Sequence, residues 1–140
     1  MRRRGTRAGT ALVEFAMSLI LLASMFAGIF QTGYTFYAYS TLVNAVRSGA
    51  RYASIAPREA RVSAEFASAV RNLVVYGDPK PAAGAKPVVA GLQAANVEVI
   101  FSPGAATVAL RGFEINAVFS KIKLEGKPTA TFPYTGGGAK

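Results

Sequence analysis

Between Phe15 and Val46 there is not one Asp, Glu, Lys or Arg, and no other feature restricts the fold so strongly. The first half of this run, Phe15 to Phe30, is interrupted only by Ser18, Ser24 and Gly28. Counted from Ala11, an apolar stretch broken only by Glu14 is about 20 residues long, the length that crosses a bilayer core as a helix. Much of the chain's 51% hydrophobic content is spent there, so the globular part of these 140 residues must be small. A membrane-spanning helix is therefore the first expectation.

Arg2, Arg3, Arg4 and Arg7 precede the apolar segment, whereas beyond it no basic residue occurs before Arg47. The positive-inside rule then predicts a single-pass protein of the inner (cytoplasmic) membrane, its amino terminus cytoplasmic and its carboxy-terminal domain periplasmic. A removable signal peptide is the competing account, but Met25 is too large for a cut at Ala27 and the apolar character continues past Phe30. The helix is expected to outrun the membrane. No proline occurs from Gln31 to Ala56, Leu42, Val46 and Ile55 keep it apolar, and Pro57 is the first strong stop. A helix from Thr10 to Ile55 would be ~69 Å long, roughly twice a bilayer core.

Past Pro57, the residues Val62, Phe66, Ala69, Val70 and Leu73 recur at helical spacing and predict a second, amphipathic helix ending at Gly77. Asp78 to Gly91, with three prolines and two glycines, reads as a loop. Val97, Val99 and Phe101 alternate with Glu98 and Ile100, Ser102-Pro103-Gly104 supplies a turn, and Thr107 to Arg111 returns as a second strand. Lys121 to Glu125 and Thr129 to Phe132 offer a third and a fourth. No register is assignable for 113–125, and 136–140 reads as a flexible tail.

Sixteen Lys and Arg against seven Asp and Glu give a net charge of +9. Four of the sixteen lie in the leader, and the remainder are dispersed without interleaved aromatic residues, so a nucleic-acid partner is not expected. Cysteine and histidine are both absent, which excludes disulfides and thiolate metal sites and removes the commonest general base. The acids Glu59, Glu65, Asp78, Glu98, Glu114 and Glu125 are scattered and no phosphate loop or hydrolase motif occurs. Neither catalysis, a cofactor, a metal nor a small-molecule substrate is expected.

The segment Gly9-Thr10-Ala11-Leu12-Val13-Glu14-Phe15, between a basic leader and an apolar helix, resembles a prepilin processing site. Such a site is cut after a glycine and carries glutamate fifth in the mature chain, followed by an apolar or aromatic residue. A cut between Gly9 and Thr10 would put Glu14 fifth and Phe15 after it. The likeness continues through Ala45-Val46-Arg47-Ser48-Gly49-Ala50-Arg51-Tyr52-Ala53, Tyr76-Gly77-Asp78-Pro79 and Gly91-Leu92-Gln93-Ala94-Ala95-Asn96-Val97. Together these resemble the TadE-like family of pseudopilins, components of tight-adherence (Tad or Flp) pilus machines.

The resemblance implies an α+β protein: a long amino-terminal transmembrane, pilin-like helix followed by a short helix and a small antiparallel sheet. Its parts would be a cleavable leader (1–9), a hydrophobic helix (10–56, in the membrane at about 11–30), a periplasmic domain (57–135) and the tail (136–140). It further implies a prepilin peptidase, other pilin and minor pilin subunits, Tad inner-membrane platform proteins and the lipid bilayer as partners, and a place in an extracellular pilus as one destination. Glu14 would receive the new α-ammonium of a neighbour's Thr10. Ala45, Gly49 and Ala53 form a small-residue row for helix packing, against another helix or against the chain's own domain. Ala23 and Ala27 form a shorter row, and Phe26, Phe30, Tyr34 and Tyr37 an aromatic stripe toward the outer interface. Two alternatives remain: an uncleaved single-pass adaptor with a periplasmic domain, and a membrane-anchored periplasmic enzyme or binding domain.

Overall fold

A computed structural model describes residues 5–117 and 120–135. Positions 1–4 of the leader, positions 118–119 and the tail at 136–140 lie outside the described residues. The architecture is α+β: one long helix, two short ones and two small antiparallel sheets.

Helix α1 runs over Gly5–Ile55, 51 residues or ~77 Å. It ends where Pro57, with φ −58° and ψ 152°, takes the chain into extended backbone and disfavours helix at Ala56. The helix has two halves with different surroundings. From Gly9 to Phe26 every side chain is exposed. Above Gln31 one face turns inward, and Ala38, Leu42, Val46, Ala50 and Ala53 are buried in a row at three- and four-residue spacing, the stripe of a helix with one side on a core.

The expected helix after Pro57 is broken. A single turn, α2 (Arg58–Arg61), is followed by α3 (Ala64–Tyr76), and Ser63 between them is extended. Ser63 Oγ accepts from the Phe66 backbone N–H at 3.1 Å, an N-cap that restarts the helix in a new phase. Val62 therefore does not join the apolar stripe predicted for it and stands 86% exposed, while Val70, Val74 and Val75 are buried. Gly77 closes α3 at φ 76°, a left-handed conformation that glycine adopts without strain. The loop that follows is pinned by Val89 and Leu92, both buried, and by Val88 N–H donating to Val75 O at 2.8 Å.

The remaining chain makes two sheets, where a single sheet was expected. Strands β1 (Val97–Ser102), β2 (Ala105–Leu110) and β5 (Thr129–Pro133) form the larger, ordered β1-β2-β5. Its inner face carries Val97, Val99, Phe101, Ala106, Val108, Leu110, Ala130 and Phe132, all in the core cluster or packed on it. The 113–125 region resolves into a hairpin of its own, β3 (Phe113–Asn116) with β4 (Lys121–Leu124), registered Asn116 to Lys121 and Phe113 to Leu124.

The two sheets lie end to end along the upper half of α1. Ser120 is hydrogen-bonded to Gln31 at 2.7 Å, and Thr135 N–H donates to Ser54 O at 3.3 Å. The hairpin thus occupies the end of the domain nearest the apolar half of α1, and the tips of β1 and β5 the far end. Tyr52 stacks on Phe66 at 5.5 Å, and Phe66 meets Phe101 at 6.1 Å, so α3 begins at that far end and runs back antiparallel to α1.

Candidate functional site

Gly9, Thr10, Glu14 and Phe15 all lie on α1 and are exposed. The peptide bond between Gly9 and Thr10 is in a helical turn, and a Cβ built on Gly9 meets nothing within 4 Å. Packing inside this chain therefore does not require glycine at position 9. Thr10 and Glu14 are four residues apart and share one helix face. Glu14 belongs to neither ion pair seen among the described residues, Arg111 with Glu98 and Lys123 with Glu114. Its backbone carbonyl accepts from Ser18 Oγ at 2.9 Å, an intrahelical contact that leaves the carboxylate outward.

Apart from Thr10 and Ser18, the surface around Glu14 is apolar. From Leu12 to Phe30, twelve large hydrophobic side chains are more than half exposed. Covering each is worth about 1.5–3 kcal/mol, on the order of 20–35 kcal/mol in all, more than the 5–15 kcal/mol that typically separates folded from unfolded protein. Something other than water must cover this half of the helix. Among the described residues one helix, Gly9–Ile55, is long and apolar enough to cross a membrane.

The small-residue row lies against the chain's own domain. Gly49 is buried, and a methyl built on it would overlap the Cγ2 methyl of Val74, with Val70 Cγ1 at 3.8 Å. Ala53 is fully buried and Ala45 packs at the edge of the same cluster. Ala23 is exposed and Ala27 half-buried, both in the half of α1 below the domain. Of the aromatic stripe, Phe26, Phe30 and Tyr37 are exposed, whereas Tyr34 packs on the core.

Two clefts open beside α1. One, about 380 Å³, lies between Phe36 and Tyr39 of the helix and Ile115, Ile122 and Leu124 of the hairpin. The other, about 620 Å³, lies between Arg47 and Arg51 of α1 and Phe132 and Pro133 of β5. Neither cleft is lined by an acidic residue, and among the described residues no three metal-binding groups come together. The contact of Gln31 with Ser120 escaped the sequence reading, because it joins residues 89 positions apart with no pattern linking them.

The sequence model of the TadE-like protein family matches residues 9–51. The match starts at the junction glycine and ends one turn short of the end of α1, so it takes in both the exposed half and the packed half of that helix. The likeness to that family is confined to this segment, 43 of the 140 residues. No curated protein matches the chain, and no solved structure does.

Proposed function

From a TadE-like segment at residues 9–51, we propose that the chain is a pseudopilin. It is cut after Gly9 by a prepilin peptidase, held in the cytoplasmic membrane by Ala11 to Phe30, and used with other pilin and minor pilin subunits and the inner-membrane platform to build a Tad pilus. The observation that carries this reading is the exposed apolar half-helix with one carboxylate, Glu14, one turn above the junction.

The chemistry follows from the helix. Cleavage has to open the turn holding Gly9 and Thr10, and glycine makes that easier by roughly 1 kcal/mol relative to alanine. It leaves an α-ammonium on Thr10 beside a bilayer, where an unpaired charge is costly. Within one chain that ammonium and Glu14 lie ~6 Å apart along the axis. A neighbour displaced by about one turn therefore brings its Thr10 ammonium level with this Glu14, forming a charge-assisted contact that removes both charges from an apolar setting and fixes the axial offset. The leader arginines orient the helix so that the domain from Gln31 onward is periplasmic.

The experiment compares Gly9→Glu with Glu14→Val in cells holding the cognate peptidase. Intact mass should show loss of residues 1–9 from the parent and from Glu14→Val, and their retention in Gly9→Glu. Both variants should lose co-isolation with partner pilins. A parent chain that keeps Met1 and still supports piliation would make this an uncleaved adaptor. A Glu14→Val chain that assembles normally would remove the charge-pairing step.

A further inference from the structure

We infer that the cleft between α1 and the open edge of β5 takes an extended acidic segment of a different protein, added as a strand beside β5 with its carboxylates on Arg47 and Arg51. The register shows that the edge is open. Leu110 N–H donates to Pro128 O at 3.2 Å and Tyr134 N–H to Gly104 O at 3.0 Å, so the even-numbered residues of β5 exchange their backbone hydrogen bonds with β2. The backbone groups of Thr129, Thr131 and Pro133 therefore point away from β2. Strand β5 ends the sheet on that side, and among the described residues these groups have no backbone partner. Pro133 takes one donor from the edge, a common guard against pairing. The N–H groups of Thr129 and Thr131 and three carbonyls remain.

The helix beside this edge supplies the charge. Arg47 and Arg51 line the cleft with Phe132 and Pro133, on the flank of α1 away from Gly49, which packs on α3. Both arginines are exposed, and neither belongs to an ion pair among the described residues. One turn separates them, ~6 Å along the axis. Side chains at alternate positions of a strand share one face and lie ~6.7 Å apart. Two acids so spaced, on the face turned to α1, thus meet both guanidiniums, whose planar forks match carboxylates.

The same observations argue against a second copy and against lipid as the occupant. No two acidic residues of this chain are two positions apart. Its other sheet edge, β1, carries Val97, Val99 and Phe101 on the inner face and would set apolar side chains against the arginines. With Phe30 at the outer edge of the hydrocarbon, Arg47 stands ~26 Å further along the axis, well past a headgroup layer about 5–7 Å deep.

Anisotropy of a fluorescent, capped peptide with two glutamates alternating with valines measures binding to the full-length protein in non-ionic micelles, at about 0.15 M salt to screen distant charges. An exposed ion pair is worth up to about fivefold. Arg47→Gln and Arg51→Gln should each weaken binding by up to that factor and together by on the order of tenfold, as should glutamine in place of both glutamates of the peptide. Lys86→Gln, an exposed charge on the loop after α3, should change nothing. Strand addition has its own readout. Bound peptide should slow amide exchange at Thr129 and Thr131 and leave Ala130, already bonded to β2, unchanged. Thr131→Pro removes an outward N–H while sparing the β2 ladder, and should weaken binding by about two- to tenfold.

No binding of the glutamate peptide, equal affinity for the glutamine peptide, or an equal loss with Lys86→Gln would overturn the inference. Binding that leaves exchange at Thr129 and Thr131 unchanged would overturn it too, since the arginines would then hold acids without a strand. Slowing that follows protein concentration in the absence of peptide would overturn it by assigning the edge to a second copy. Arginine-dependent retention of phosphatidylglycerol, with no peptide bound, would do so by assigning the arginines to lipid phosphate.

Discussion

Gly49 gives the sharpest test of the packing that joins stalk to domain. Replacing it by alanine has two opposed effects. Alanine in a helix interior is favoured over glycine by about 1 kcal/mol. The added methyl, however, falls closer than 3.0 Å to a methyl of Val74, a fully buried residue whose β-branched side chain has one strongly preferred rotamer in a helix. Overpacking of this kind costs about 1–3 kcal/mol, so the overlap wins and the net loss is about 1 kcal/mol. In a domain of roughly 100 residues that lowers Tm by about 4–8 °C. Melting of the full chain in detergent micelles, followed through the near-ultraviolet signal of Tyr52 and its neighbours, measures it. Gly33, with nothing within 4 Å of a built Cβ, is the control: Gly33→Ala should leave Tm unchanged or raise it. In a Val74→Ala background the Gly49→Ala loss should shrink or reverse, a coupling of about 1 kcal/mol between touching residues. A Gly49→Ala chain that melts as high as the parent, with effects additive to Val74→Ala, would refute the steric argument and leave the glycine to another subunit's helix.

Two further outcomes follow from the same packing. Ser63→Ala removes the side-chain acceptor of the Phe66 N–H and should cost about 1 kcal/mol, or about 4–8 °C in the same melt; no change would mean that α3 is set by packing alone. Reporter fusions after Tyr76 should behave as periplasmic and fusions before Thr10 as cytoplasmic, and the reverse pattern would put the domain on the wrong side for assembly.

Long-range parts of this fold were legible where one local signal dominated. The charge-free run and Pro57 located α1 to its carboxy-terminal residue, and the alternation about Ser102-Pro103-Gly104 located the β1–β2 hairpin. Ser63 was not legible, because Val62 and Phe66 already fitted a helical stripe and a single cap is a weaker signal than a period. Strand β3 alternates over Phe113 to Asn116, but the apolar residues Ala117, Val118 and Phe119 follow with no Gly or Pro to mark a turn, and nothing local distinguishes a strand that joins β2 from one that pairs with β3. At the candidate site, Gly9 and Glu14 were marked by type and spacing alone. The row Ala45, Gly49 and Ala53 was compatible with two partners in sequence, and the position of Val74 is what places Gly49 against the domain.

The division of α1 has an energetic consequence for the proposed pathway. Domain packing fixes the helix from Tyr34 to Ala53 and touches nothing near Glu14, so the lower half is free to exchange one apolar environment for another. Lipid tails are as apolar as the side chains of neighbouring subunits, and moving Leu12 to Phe30 from bilayer to helix bundle therefore gains little hydrophobic free energy. The large stabilisation that keeps this surface out of water cannot choose between the two. The choice falls to terms that differ between lipid and protein: close packing and the fate of charge. Among the described residues Glu14 belongs to no ion pair, whereas in an assembly a neighbour's ammonium supplies a partner. The one carboxylate in the apolar half, set among twelve large hydrophobic side chains, is on this reading the group that sets the direction of assembly.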